Sequence, residues 1–193
     1  MGSNEIDNCL LKPLEGVMHH LKILLLLKTL LVLGAQNAIA GEQVPFGDAV
    51  SDKIKNYHRH TPFIATSGNF SQGGVAELAQ SGFRTIVDLR TAPEGVELNA
   101  SEAKALGIDY HNLPVGSGFP EAALLSRFGE LVEDENNYPM LLRCGSGNRV
   151  GMVWAAYKLS LGIPMDQAIL EGQTIGMSAS REAQLSTFYE DKK

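Results

Sequence analysis

The sequence predicts an α/β fold with a mostly parallel central sheet flanked by helices on both faces, and three observations carry that prediction. Thr85-Ile-Val-Asp-Leu89 and Pro139-Met-Leu-Leu-Arg143 are short apolar runs without polar alternation, the pattern of strands covered on both faces. Stretches with helical spacing or helix stop signals separate such runs, so strands and helices alternate along the chain. The strand ending at Arg143 then runs through a glycine loop, Cys144 to Arg149, directly into the long apolar helix Val150 to Leu161.

The other elements follow in order. Phe63-Ile-Ala-Thr-Ser67 reads as a short strand, and Gly73 to Gln80 as a short helix closed by Gly82. Glu102 to Gly107 is the end of a helix with its glycine stop, and Asp109 to Val115 is a further strand. Pro120 to Glu133 reads as an amphipathic helix with Ala123, Leu124, Phe128 and Leu131 on one stripe. Gly162-Ile-Pro-Met-Asp-Gln-Ala168 opens another helix with proline in its first turn, and Ser180 to Tyr189 gives the last. These elements make one domain over 63–193. Residues 41–62 are a polar extended arm with a short helical turn near Asp48 to Lys55. His58 and His60 share one face of a strand, but no third ligand cluster follows, so they read as exposed or packing residues and no metal or other cofactor is expected.

Residues 1–40 read as an N-terminal extension and signal peptide. Met18-His-His-Leu-Lys22 is a short basic start, Ile23 to Gly34 an apolar run interrupted by Lys28, and Ala38 and Ala40 are small residues that place cleavage after Ala40. The run is shorter than the roughly 20 apolar residues of a membrane span. The expectation is a periplasmic or secreted protein that meets a membrane only through this segment if it stays uncleaved. Residues 1–17 are polar and patternless, which points to Met18 as the biological start. Cleavage removes Cys9 and leaves Cys144 without a disulfide partner.

The net charge of -6, with no block of Lys and Arg, excludes a nucleic-acid partner. It also means that any anion must be attracted locally. The loop Cys144-Gly-Ser-Gly-Asn-Arg149 supplies that attraction. Gly145 and Gly147 allow successive N–H groups to point inward as a nest for anionic oxygens, and the following helix adds its N-terminal partial charge. The same groups, with Arg149, favour the thiolate of Cys144 as a nucleophile. The Arg149 fork can hold two oxygens of a tetrahedral anion.

The stretch from Thr66 to about Glu171 resembles the protein-tyrosine and dual-specificity phosphatase superfamily. It is most similar to bacterial phosphatase-like domains that also occur fused to metallo-β-lactamase-like hydrolases. The matching parts are Ser67-Gly68, Gly82 with Thr85-Ile-Val-Asp-Leu-Arg90, Gly107-Ile-Asp-Tyr-His-Asn-Leu-Pro114, the 144–149 loop, Ala155-Ala-Tyr157 and Gly162 to Ala168. The resemblance implies a cysteine-phosphatase-like fold whose P-loop lies between the last strand and a buried helix. It implies attack of Cys144 on phosphorus to give a phosphocysteine, with Arg149 holding the phosphoryl oxygens and Gly145, Ser146, Gly147 and Asn148 lining the phosphate-binding loop. The substrate would be a phosphorylated small molecule or a phosphoprotein, and no cofactor is needed.

The chain departs from the family pattern at four points. Four residues rather than five separate Cys144 from Arg149, Arg143 stands where a His commonly precedes the Cys, and Val150 replaces the hydroxyl residue that follows the Arg. The loop Gly116-Ser-Gly-Phe-Pro120 holds no Asp to act as general acid, which leaves Glu121, Glu94 and Glu97 as candidates. Asp88 and Arg90 occupy family positions and read equally as a structural ion pair. The short loop keeps open a rhodanese-like sulfurtransferase carrying a Cys144 persulfide. The missing acid keeps open a domain that binds a phosphate or other anion without turnover.

Overall fold

The computed structural model describes residues 50–190. The signal peptide, the start at Met18, Cys9 and the first part of the arm lie outside the described residues. Five strands form one sheet: β1 (His58–Arg59), β2 (Ile64–Ser67), β3 (Thr85–Asp88), β4 (Asp109–Asn112) and β5 (Met140–Arg143). Their order is β1-β2-β5-β3-β4. Only β1 runs antiparallel, against β2; every other pair is parallel. The mostly parallel sheet expected from the apolar runs is therefore present, with β2, β3 and β5 buried at every position.

Alternation along β5 divides the interior in two. Met140, Leu142 and Cys144 belong to one core, with Ile64, Val87 and Leu89. Leu141 belongs to the other, with Ala65 and Ile86. The second core is closed by Val75 and Leu78 of helix α1 (Gly74–Gln80) and Ala103 of α2 (Val96–Ala105). The first is closed by α3 (Ala122–Glu133), α4 (Asn148–Ser160), α5 (Met165–Ile175) and α6 (Ala179–Glu190). Each large apolar side chain fully buried in this way, Phe128 for example, contributes about 1.5–3 kcal/mol relative to exposure. Helix α4 is buried from Val150 to Tyr157, which explains why its sequence shows no polar face.

Three local readings are refined. Of the turn expected near Asp48 to Lys55, the described residues show one hydrogen-bonded turn, closed by Ile54 N–H donating to the Ser51 carbonyl at 3.1 Å, and Ile54 also forms an isolated antiparallel bridge with Phe70. On α3 Phe128 and Leu131 of the expected stripe are buried together with Val132, and Leu124 packs against the same core, while Ala123 faces solvent. Helix α2 begins at Val96, well before the segment read from its glycine stop. His60 packs edge-on against Trp154, with ring centroids 4.5 Å apart, and burial lowers its pKa, so it is a packing residue. Among the described residues no group of His, Cys, Asp and Glu could hold a metal ion. No described helix is long and apolar enough to cross a membrane.

Candidate active site

β5 lies in the middle of the sheet, and the chain leaves it at Cys144 to enter α4 at Asn148. The turn between them needs Gly147, whose φ of 93° lies in the left-handed region and whose Cβ position would be 2.8 Å from the Ile175 carbonyl oxygen. The loop is tied from outside. Asn69 N–H donates to the Gly145 carbonyl at 3.1 Å, Asn56 Nδ2 to the Ser146 carbonyl at 3.2 Å, and Ser178 N–H to Asn148 Oδ1 at 2.9 Å. The Asn148 side chain is thus turned toward Ser178, and only its backbone remains for a ligand.

Cys144 is 1% exposed, and its Sγ accepts from the Gly147 N–H at 3.1 Å. Among the described residues the N–H groups of Gly145, Ser146, Asn148 and Arg149 have no protein acceptor. Uncommitted N–H groups around a buried sulfur, at the start of a helix of 13 residues, form a site that can take the oxygens of an anion.

Arg149 is the second residue of α4, and its guanidinium is held on two sides. Nη1 donates to Glu94 Oε2 at 2.7 Å and to the Val115 carbonyl at 3.1 Å, and Nη2 donates to Glu94 Oε1 at 2.5 Å. These contacts use the far end of the fork. Nε and the second Nη2 hydrogen, the edge that grips two oxygens of a tetrahedral anion, donate to no oxygen among the described residues and lie beside Cys144. The Glu94 hydrogen bonds raise the Arg149 pKa first, and the neighbouring Cys144 adds to this.

Glu94 is therefore in the site, but not as the general acid. Arg149 first, then the N–H and hydroxyl of Thr91, hold its carboxyl down to about 2, so it is ionised at neutral pH and has no proton to give. Glu121 is an exposed residue at the start of α3 and Glu97 an exposed residue of α2; no hydrogen bond or ion pair links either to residues 144–149.

Asp88 and Arg90 form the structural ion pair. Arg90 Nη2 lies 2.8 Å from Asp88 Oδ2, both are buried, and Arg90 Nη1 donates to the Glu94 carbonyl at 3.0 Å. Arg90 thus fixes the turn that carries Glu94. Arg143, fully buried, shares Asp88 at 3.6 Å, bonds Asn99 Oδ1 at 2.9 Å and lies over the Phe70 ring. Burial pulls its pKa down to about 10 against the attraction of Asp88. Tyr110 closes the group by donating to Asp88.

Cys144 and Arg149, the two residues the sequence singled out, stand at the two ends of the loop between β5 and the first turn of α4. The sequence reading missed Asn56 and Asn69 as loop anchors and Arg181 as a contact of the Gly116–Gly118 loop. For these, no local motif exists.

Glu94→Gln gives a direct check on the orienting contact. With the charge gone, Arg149 is held less firmly, and KM for an aryl phosphate should rise about 3- to 10-fold. The acid response should also change. The folded carboxyl titrates below its unfolded value, so its contribution to stability is present above the ordinary carboxylate range and is lost as pH falls toward about 2. Thermal melts across that acid range should show a shallower decline for Glu94→Gln than for the wild type.

A sheet of this order, with a cysteine, an amide-lined loop and an arginine between its middle strand and a buried helix, defines a phosphatase of the protein-tyrosine-phosphatase-like type. A family model described as "DSP-PTPase phosphatase fused to NAD+ Kinase" matches residues 41–190. The chain belongs to that family. The description names NAD+ kinase as what the family's phosphatase domain is fused to.

Among characterised relatives, 85 residues, 42% of the chain, are 40% identical to the probable NAD kinase 2, chloroplastic, of Oryza sativa subsp. japonica. That match spans 9% of the plant protein's length. Solved structures with the same fold include Tk-PTP in its active form, with a TM-score of 0.59 and 17% identity over 75% of this chain and 100% of that one. The core catalytic domain of the PP-IP phosphatase SIW14 from S. cerevisiae follows at 0.55 and 18%, covering 68% and 84%. Kinase associated phosphatase gives 0.57 and 19%, covering 66% and 86%.

Proposed function

We propose that this domain is an exported phosphatase that hydrolyses phosphate monoesters through a phosphocysteine on Cys144. The observation that carries this reading is the set of uncommitted N–H groups around the buried Cys144 sulfur, with the free edge of Arg149 alongside. In the first step the Cys144 thiolate forms the S–P bond and the ester P–O bond breaks, the electron pair leaving with the alcohol or phenol oxygen. The loop amides of Gly145, Ser146 and Asn148 and the Arg149 edge hold the equatorial oxygens where charge is spread in the transition state. Water then forms the new P–O bond, the S–P bond breaks to return the thiolate, and the proton that water releases to solvent balances the one the leaving oxygen takes from it. Export rests on the signal-peptide pattern before Ala40 and on the tolerance of an exported chain for one buried cysteine.

The loop from Gly116 to Pro120 bears no carboxylate to protonate the leaving oxygen. Turnover should therefore depend steeply on the leaving group, with phenols of low pKa released about 10²-fold or more faster than alkyl alcohols, the share a general acid ordinarily supplies. A series of substituted aryl phosphates measures this, and a flat dependence would reveal a proton donor.

The four-residue spacing between Cys144 and Arg149 also suits sulfur transfer, so the deciding experiment separates the two chemistries. Quenched reactions with an aryl phosphate and with thiosulfate are digested, and the Cys144 peptide is weighed. A phosphoryl adduct supports the phosphatase; an extra sulfur after thiosulfate, with no phosphoryl adduct, establishes the sulfurtransferase; tight anion binding with neither adduct establishes a binding domain.

A further inference from the structure

Arg181 reaches the site region from α6. Its Nη2 donates to the Gly116 carbonyl at 2.8 Å, and its Nη1 to the Ser117 and Gly118 carbonyls at 3.0 and 3.1 Å, with Gln184 Oε1 also at 3.0 Å. Three consecutive carbonyls of an exposed loop containing two glycines thus converge on one side chain. The preceding residue, Val115, gives its carbonyl to Arg149. Residues 115–118 are therefore a strip of backbone that connects Arg149 to Arg181.

The charges differ in how they are balanced. Arg149 is neutralised by Glu94, and Asp88 is shared between Arg90 and Arg143. Among the described residues no carboxylate forms an ion pair with Arg181. Carbonyl oxygens accept its hydrogen bonds without cancelling its charge.

We infer that Arg181 is a positioning residue of this site: it fixes the 116–118 loop against Arg149 and supplies an un-neutralised cation that favours an oxyanion ligand. The inference rests on the reading of residues 144–149 as an oxyanion site. Burial and the charge of Arg149 lower the Arg181 pKa while Cys144 raises it, which agrees with a guanidinium in electrostatic reach of both.

The test compares Arg181→Met and Arg181→Lys with the wild type. The readouts are tungstate affinity by calorimetry, kcat and KM for p-nitrophenyl phosphate, and the melting temperature. Arg181→Met should weaken tungstate about tenfold, because the cation and the hold on the loop are both lost. Arg181→Lys should regain tungstate affinity but keep a lowered kcat, because an ammonium cannot hold three carbonyls in one plane. A folded Arg181→Met with tungstate affinity within about twofold of the wild type overturns the inference. If Arg181→Met does not fold, Arg181→Lys decides: wild-type kcat and KM overturn the inference, and a lowered kcat with retained tungstate affinity supports it. Tungstate binding needs no turnover, so a wild-type protein that releases no phosphate counts against the phosphatase reading and leaves the Arg181 comparison intact.

Discussion

Cys144→Ser is expected to reduce phosphate release from an aryl phosphate by about 10⁴-fold or more while leaving the fold and oxyanion binding in place. A serine hydroxyl is a nucleophile only when a base removes its proton, and no histidine or carboxylate is hydrogen-bonded to Cys144. The sulfur accepts a hydrogen bond from the Gly147 N–H, and a hydroxyl oxygen can receive the same bond. The loop amides and Arg149 are untouched. Exchanging a buried thiol for a hydroxyl that finds its partner should cost only about 1 kcal/mol, seen as a small fall in melting temperature. Phosphate release, calorimetric tungstate titration and a thermal melt on the same preparation check all three statements. Release within tenfold of the wild type would remove Cys144 from the chemistry.

What the sequence revealed and what it hid follow from the range of the interactions. β2, β3 and β5 are legible because a strand covered on both faces must be apolar at successive positions, as Ile86-Val87 and Leu141-Leu142 are. The start of α2 is not legible. Only Val96 and Ala103 are buried, Leu98 is 78% exposed, and the helix is entered through Gly95 without a side-chain cap, so neither periodicity nor a capping residue marks it. Cys144 and Arg149 are legible because one turn of backbone brings them together. The contact that orients Arg149 comes from Glu94, 55 residues away, and the Arg181 contact with Gly116 spans 65 residues. Such pairs are set by the order of the strands and the packing of α6, and a local pattern carries no trace of them. The same holds for Arg143: its position beside the cysteine is visible, but the burial that makes it depend on Asp88 and Asn99 appears only when β3 pairs with β5 and α2 covers them.

Gly151→Ala is the substitution expected to damage stability most, by about 2–4 kcal/mol, and it should lower activity as well. In an isolated helix the change would help, since alanine is favoured over glycine by about 1 kcal/mol. Here α4 crosses α5 with backbone against backbone. A Cβ on Gly151 would overlap the Gly172 carbonyl oxygen and lie 2.8 Å from the Met177 nitrogen, and one on Gly172 would lie 2.7 Å from the Gly151 carbonyl oxygen. These are main-chain atoms, so no side chain can turn aside, and the helices must separate. Separation breaks the packing of Ala168 and Ile175 against the core under the sheet. It also moves the start of α4, where Gly147 lies against Ile175, and with it Arg149 relative to Glu94. A displacement of that kind can cost about 10²-fold in kcat/KM. Gly162→Ala is the matched comparison: its φ is 82° and nothing lies within 4 Å of its Cβ position, so only the left-handed backbone opposes alanine, at about 1 kcal/mol. Urea midpoints for the two variants separate close helix contact from backbone conformation. Equal losses would show that the α4–α5 contact does not set the stability. A larger loss for Gly151→Ala, with kcat/KM lowered even when counted per folded molecule, would show that this crossing also sets the position of Arg149.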